Sequence, residues 1–302
     1  MRKLAGVLLV ASVLAGTLFS NAFAQLEKGH YVCGVEGIKA ASLPPPGFYW
    51  RLYNAFYNSD KLTDKNGDEL PVGFDVSVYA LVNRFIYVSD KKILGANYAF
   101  DVIVPLINTD LEIDKMGLKD NKFGLADVVV EPFILSWHGP RYDAAFGLGF
   151  YAPIGQYDVA KPASPGQDFW SLLITFGGTA YLDEAKTLSA SVLSRTEMHS
   201  EKSETKVKPG SDFLIEWGLA KTVAKFWDIG LSGYCQWQLT DDSGTGVVWD
   251  KTVHDRNYAI GPEVSVFVPS AKLFLSARSL WEFGVVDRSQ GNMIAITLTK
   301  IL

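Results

Sequence analysis

Apolar residues recur at every second position along most of this chain. Within 48–57, "FYWRLYNAFY", Phe48, Trp50, Leu52 and Phe56 fall on one face of an extended strand, and Tyr49, Arg51, Tyr53 and Tyr57 on the other. The same sorting returns in "FLIEWGL", where Phe213, Ile215, Trp217 and Leu219 oppose Asp212, Glu216 and Gly218. In "IGLSGYCQWQL", Ile229, Leu231, Trp237 and Leu239 oppose Ser232, Tyr234, Gln236 and Gln238. Further on, Tyr258, Ile260, Val264, Val266 and Val268 oppose Asn257 and Glu263, and Leu273, Leu275, Ala277 and Trp281 oppose Ser276, Arg278 and Glu282. This period-two pattern predicts about twelve strands, near 48–57, 74–88, 96–106, 123–136, 143–152, 169–181, 188–196, 211–220, 228–240, 257–268, 272–283 and 292–302, each long enough to cross a bilayer at a tilt. Arg84 interrupts the alternation of the second strand and reads as a bulge or as a side chain snorkelling at a membrane edge.

The connections alternate too. Long polar segments ("SDKLTDKNGDELPVG", "INTDLEIDKMGLKDN", "PIGQYDVAKPASPGQD", "EMHSEKSETKVKPG", "DDSGTGVVWDKTVHDR") follow the odd strands, and shorter ones ("SDKKILGA", "WHGPRY", "LDEAKT", "KTVAKFWD", "PSA") the even strands. Hairpins with long loops on one side and short turns on the other are the signature of an outer-membrane barrel with both termini in the periplasm. A secreted β-sandwich or soluble barrel is the competing class, but nothing in a sandwich calls for that asymmetry. The expected fold is therefore all-β: a transmembrane antiparallel β-barrel of about 12 strands over 47–302, its charged faces turned to the lumen. Ahead of it, Pro44, Pro45 and Pro46 remove backbone donors and hold the chain extended, so 25–46 is an irregular segment and a candidate plug.

The first 24 residues set the compartment. Arg2 and Lys3, the apolar "LAGVLLVASVLAGTLF" and the small-residue "SNAFAQ" follow the order of a secretory signal, with cleavage expected between Ala24 and Gln25; the apolar run is short for a spanning helix. Cys33 follows "GHYV" instead of closing the apolar region, which argues against a lipid anchor. Loss of Arg2 and Lys3 leaves 26 basic residues against 33 acidic ones, a net charge of −7, which disfavours nucleic acid as a partner. Cys33 and Cys235 are too few for a disulfide framework and read as buried or lipid-facing thiols, with a bridge between them the lesser alternative.

Candidate chemistry is sparse. His30, His138, His199 and His254 fall in the N-terminal segment, a short turn and two long loops without metal-ligand spacing, so they read as solvated loop residues and no metal site is expected. No strand is expected to carry a histidine, which removes the base a serine hydrolase needs; an enzyme is not expected. In "DKNGDELPVGFD", Asp64, Asn66, Asp68 and Asp75 take positions 1, 3, 5 and 12 of a calcium loop, but Glu69 stands where glycine is needed and Pro71 interrupts, so an ordinary acidic loop is the better account. The lumen candidates are Arg51, Asp101, Asp127, Glu131, Arg195, Glu216, Glu263, Arg278 and Glu282 with Tyr49, Tyr53, Tyr57, Tyr79 and Tyr234. The charges either pair with one another to fill the interior or line a passage with the tyrosines, whose rings offer an aromatic solute apolar area and a polar tip. Twelve strands enclose a lumen between the filled eight-stranded barrels and the open sixteen-stranded porins.

The run "GHYVCGVEGIKAASLPPPGFYWRLYNAFYNSDKLTDKNGDELP", followed by "NRFIYVSDKKILGANYAFDVIVPLIN", resembles the family of outer-membrane transporters named for the meta-cleavage pathway of phenol degradation. The likeness extends over nearly the whole mature chain and is most specific in "EGIKAASLPPPGFY" and "GANYAFDVIVPL". It implies a bacterial outer-membrane barrel for uptake of aromatic or other hydrophobic compounds, and it carries over no binding residue. Two departures stand out: Cys33 where such proteins often have proline, and Leu302 at the end of "MIAITLTKIL" where barrels commonly end in an aromatic. The function expected is passive diffusion of small hydrophobic, aromatic solutes along a partly occluded lumen, with no cofactor, outer-membrane lipid as surroundings and an oligomeric state the sequence leaves open. The alternative is a non-transporting structural or adhesive barrel in which the long loops do the work.

Overall fold

A computed structural model describes residues 29–302; the expected signal peptide and its cleavage site lie outside the described residues. The strands are β1 (Gly47–Leu62), β2 (Phe74–Ile93), β3 (Ala96–Ile113), β4 (Leu118–Leu125), β5 (Val128–His138), β6 (Tyr142–Ala152) and β7 (Ser171–Tyr181). They continue as β8 (Leu188–His199), β9 (Asp212–Val223), β10 (Trp227–Gln238), β11 (Arg256–Val268), β12 (Leu273–Val286) and β13 (Ser289–Ile301). All pair antiparallel with sequence neighbours, and β1 pairs with both β2 and β13, so the sheet closes. β4 pairs with one half of β3 and β5 with the other, so the two are one stave broken at Ala126 and Asp127, and the cylinder has the twelve staves expected. Among the described residues no helix is long and apolar enough to cross a membrane.

Closure follows from the surroundings. An unpaired backbone group in hydrocarbon costs several kcal/mol, and only a sheet without edges pairs them all. The outward row is apolar and exposed, as at Phe56, Phe176, Leu219, Leu231, Trp281 and Ile296. Aromatic rings gather toward both rims: Trp170 against Phe150 and Phe283 against Tyr258 near the long loops, Tyr87 against Phe100 near the short turns. Such girdles belong at membrane interfaces, where an amphipathic ring is half wet.

Two local expectations need correction. Arg84 is neither a bulge nor at a rim. β2 pairs with β3 without a break from Phe74 to Val88, and Arg84 shares the inward row with the buried Val76, Ala80, Ile86 and Val88. The long connection expected after the third strand is instead a continued hairpin: β3 runs on to Ile113, turns through Asp114–Met116 and returns as β4. Leu111 and Ile113 hold it upright by packing with Leu62, Val72, Phe74 and Val76, a cluster fed by the first loop. In that loop Asp64 accepts the backbone N–H groups of Asn66 (2.8 Å) and Asp68 (2.9 Å), so its carboxylate closes its own turn.

Residues 29–46 lie inside the cylinder as an irregular strap. Several of their backbone donors are met by wall side chains: Gly34 N and Glu36 N donate to Glu216 (2.8 and 3.1 Å), Ile38 N to Glu263 (3.0 Å) and Ala41 N to Ser191 (3.2 Å), while Ser42 N closes a turn on the Lys39 carbonyl (3.0 Å). This is how buried non-sheet backbone stays satisfied. The wall makes room at Gly218 on β9, where a Cβ would come within 2.4 Å of the Ile38 Cα. Cys33 is buried with Leu214, Tyr234, Leu280 and Met293, and neither it nor Cys235 forms a disulfide.

Ile296 lies outward near the middle of β13, so Ile296→Arg should destabilise the folded barrel in lipid vesicles by about 2–4 kcal/mol. Urea titration followed by heat-modifiable electrophoretic migration measures it. A loss within error of zero would mean that this face does not meet hydrocarbon.

Candidate functional site

The lumen is organised around Glu36, the one carboxylate the strap carries to its centre. Three strands deliver arginines to it: Arg51 from β1 (3.2 Å), Arg84 from β2 (2.8 Å) and Arg195 from β8 (3.3 Å). Each is placed by strand parity, which sends alternate side chains inward. Arg84 also pairs with Asp101 (2.5 Å) and Glu131 (2.9 Å), and Arg195 with Glu216 (2.7 Å). Arg278 on β12 pairs with Glu263 on β11 (3.3 Å) and donates to the strap carbonyls of Gly34 (3.0 Å) and Val35 (2.6 Å). Arg51 has Glu36 as its one ion pair among the described residues. Burial alone would push the Glu36 carboxyl up, but Arg84, Arg51, Arg195 and Arg278 together hold it down at about 2.

Above and below this centre the strap is tied by single contacts. Tyr31 donates to Glu216 (2.5 Å) and accepts from Arg195 (2.6 Å), and burial pushes its phenol well up. The buried Cys33 thiol donates to Gln236 (3.1 Å), and burial raises it as well. Toward the short-turn end, Lys39 pairs with Asp228 (2.7 Å), and Ser42 donates to Asp143 (2.7 Å). Two cavities flank the strap. One of about 270 Å³ is bounded by Lys39, Tyr49, Arg51, Tyr53, Arg278 and Thr299. Another of about 50 Å³ lies against Arg84, Glu131, Ile134 and Arg195.

Of the residues singled out for the lumen, Tyr49, Arg51, Tyr53, Asp101, Glu131, Arg195, Glu216, Glu263 and Arg278 surround the lower and central strap. Tyr57 and Tyr234 both donate to Glu282 (2.8 and 2.6 Å) in an inward group that packs against Cys33 of the strap, and Asp127 pairs with His30 near the long-loop mouth. Tyr79 is misplaced by the sequence reading: it lies across from Phe56 on the outer face, its ring 4.8 Å from that phenylalanine. Arg84 and Glu36 were missed, the first because its row is otherwise apolar, the second because an irregular segment has no parity to read. The histidines are corrected as well. His138 ends β5 and pairs with Asp143 (2.8 Å), whereas His199 ends β8 with its side chain 0% exposed. The His30 side chain beside it is 3% exposed, and only His254, its side chain 36% exposed next to Asp241, is a solvated loop residue as expected.

A closed twelve-stave cylinder with an apolar outer belt and an ion-paired interior is an outer-membrane β-barrel. The chain belongs to the family described as "Putative MetA-pathway of phenol degradation", whose model matches residues 59–298. In fold it is similar to the COG4313 outer membrane channel of Pseudomonas putida F1, at 12% identity over 91% of this chain and 99% of that one, with a TM-score of 0.75. It is also similar to the translocator domain of the autotransporter NalP from Neisseria meningitidis (9% identity, 86% and 90% covered, TM-score 0.50). A further similarity is to the transport unit of the autotransporter AIDA-I from Escherichia coli (9%, 95% and 98%, TM-score 0.51). None of the curated proteins matches the chain. A non-enzymatic barrel is in keeping with this family and these structures.

Glu36 gives a test of what holds the strap. Its docked pKa of about 2 is below the ordinary 4.5, so its charge favours docking fully above about pH 4.5, and that contribution disappears as pH falls toward about 2. The loss is on the order of 3 kcal/mol. In a Cys235→Ser background, Cys33 should resist 4,4′-dithiodipyridine at neutral pH and become reactive through that acid window. Glu36→Gln should expose Cys33 at neutral pH already; equal protection in both proteins would mean that Glu36 does not hold the strap.

Proposed function

We propose that the protein is an outer-membrane channel for passive uptake of small hydrophobic, aromatic compounds, with 25–46 as its plug. The observation that carries this reading is the strap itself. It is tied to the wall mostly through hydrogen bonds and ion pairs, with space of about 270 Å³ left along one side. Release of an apolar segment would expose a core to water, whereas polar ties can be exchanged for hydrogen bonds to water or solute, at the cost of uncovering the buried charges of Arg51, Arg84 and Arg195. The strap therefore occludes the lumen without being a fixed part of the wall.

Tyr49 and Tyr53 border the larger cavity next to Arg51 and Arg278, a lining that meets a ring with apolar area and a hydroxyl or carboxylate with a donor. The family's description, with its reference to phenol degradation, supports the aromatic class. Outer-membrane channels of this kind need no energy source, and diffusion down a gradient suffices when the solute is consumed inside the cell.

Deletion of 25–46 after the signal peptide should raise single-channel conductance in planar bilayers severalfold and speed uptake of a labelled aromatic acid by cells. Conductance that stays at baseline in both forms would point to the structural or adhesive barrel instead.

A further inference from the structure

At the long-loop mouth of the lumen the strap meets β8 in a group of side chains that the channel reading does not use. His30, Glu197 and His199 each bring one potential ligand atom to within 4.8 Å of the others. The two histidines are 169 residues apart in the chain, and only closure of the barrel around the strap brings them together.

The hydrogen bonds around them define which atoms are open. His30 Nε2 lies 2.9 Å from Asp127 Oδ2, and His199 Nε2 lies 3.3 Å from Asp212 Oδ2. A carboxylate only accepts, so each Nε2 carries the proton and each Nδ1 of a neutral ring is left with a lone pair. Asp127 is fixed in that role by the backbone N–H groups of Gly155 and Gln167, both at 2.8 Å. Both Nδ1 atoms then face the same hydroxyl, Ser171 Oγ, at 2.7 Å each. That hydroxyl has one proton and can satisfy one of them. A third lone pair is unmet beside them: Glu197 is 1% exposed, its Oε2 accepts from Tyr31 N (3.0 Å), and its Oε1 has no hydrogen-bond partner.

The group is thus short of positive charge. Asp127, Glu197 and Asp212 outnumber the cations near them: Lys202, which lies over the Phe169 ring that touches both imidazoles, and Arg288, which Asp212 shares with Asp255. Two imidazole nitrogens, one carboxylate oxygen and a fourth position for Ser171 or water are the donor set of a divalent transition metal of the zinc type, and calcium and magnesium prefer oxygen alone. Carboxylates that orient the distal nitrogen of each ligating histidine are the usual outer support of such sites. We propose that His30, His199 and Glu197 form a zinc-type divalent metal site, with Asp127 and Asp212 as positioning residues, that fastens the strap to the barrel wall at the long-loop mouth. The inference needs neither the identity of the solute nor conduction to be correct.

The test is calorimetric titration of the purified mature protein in detergent with Zn²⁺ at neutral pH, after removal of metal with a chelator. Saturable binding of one Zn²⁺ per chain is expected, with no comparable heat from Ca²⁺. His30→Ala and Glu197→Gln should abolish it, Asp127→Asn and Asp212→Asn should weaken it by about 10- to 100-fold, and His254→Ala should leave it unchanged. Heat-modifiable migration shows which variants are folded. Should the substitutions at the cluster prevent folding, Co²⁺ bound to the unaltered protein decides: intense visible bands of a four-coordinate site support the proposal, and the weak spectrum of an octahedral ion overturns it. Absence of saturable Zn²⁺ binding by the unaltered protein, or one-to-one binding retained in folded His30→Ala, overturns it as well.

Discussion

Hydrocarbon offers no partner for a peptide group, and the rest of this molecule follows from that. A sheet can satisfy its backbone in such surroundings only by closing, and closure assigns every second side chain to lipid and every other one to the interior. The outer row then has to be apolar, while the inner row is free to be charged provided its charges find counter-charges. Twelve staves enclose more space than their inward side chains fill, so an element that is not a strand can be housed within. Its backbone has the same need for partners as the strands, and the wall carboxylates Glu216 and Glu263 meet it by accepting strap N–H groups while also pairing with Arg195 and Arg278.

That double use explains how the interior charges fit together. Asp101 and Glu131 share Arg84, Glu216 pairs with Arg195 and Glu263 with Arg278, so each of these wall charges has a partner within the wall. Arg51 is the exception, and Glu36 of the strap completes it while adding to Arg84 and Arg195. Removal of one partner from such a buried group costs more than the pair contributes, because a charge is left without compensation. The strap is therefore tied by charge at Glu36 and at Lys39, which pairs with Asp228, and accommodated by shape elsewhere, as at Gly218.

The twelve staves were legible in the sequence because period-two sorting is the direct imprint of a wall with lipid on one side and water or charge on the other. β2 shows where that imprint fails. Its inward row, Val76, Val78, Ala80, Val82, Ile86 and Val88, is apolar apart from Arg84, since it packs against a hydrophobic cluster at one end and another at the other. The outward row contains Ser77, Tyr79 and Asn83, so polarity pointed the wrong way, and both Tyr79 and Arg84 were assigned to the wrong environment. The histidines failed for a different reason. His199 stands at the last position of a strand, where a boundary error of a residue or two moves it into a loop, and its neighbour His30 comes from a segment without periodicity.

The strap's route constrains how the barrel is assembled. It joins β1 at the short-turn end through Pro44, Pro45 and Pro46, and its far end reaches His199 and Asp212 at the long-loop mouth. β1 is also the strand that closes the cylinder, through β13 on one side and β2 on the other. The segment that fills the lumen is thus attached to the seam itself. The arginines that recognise it come from β1, β2 and β8, and they converge only once β1 has met its partners. A strap held mainly by those arginines is docked by the completed wall, so closure of the sheet and occupation of the lumen are coupled.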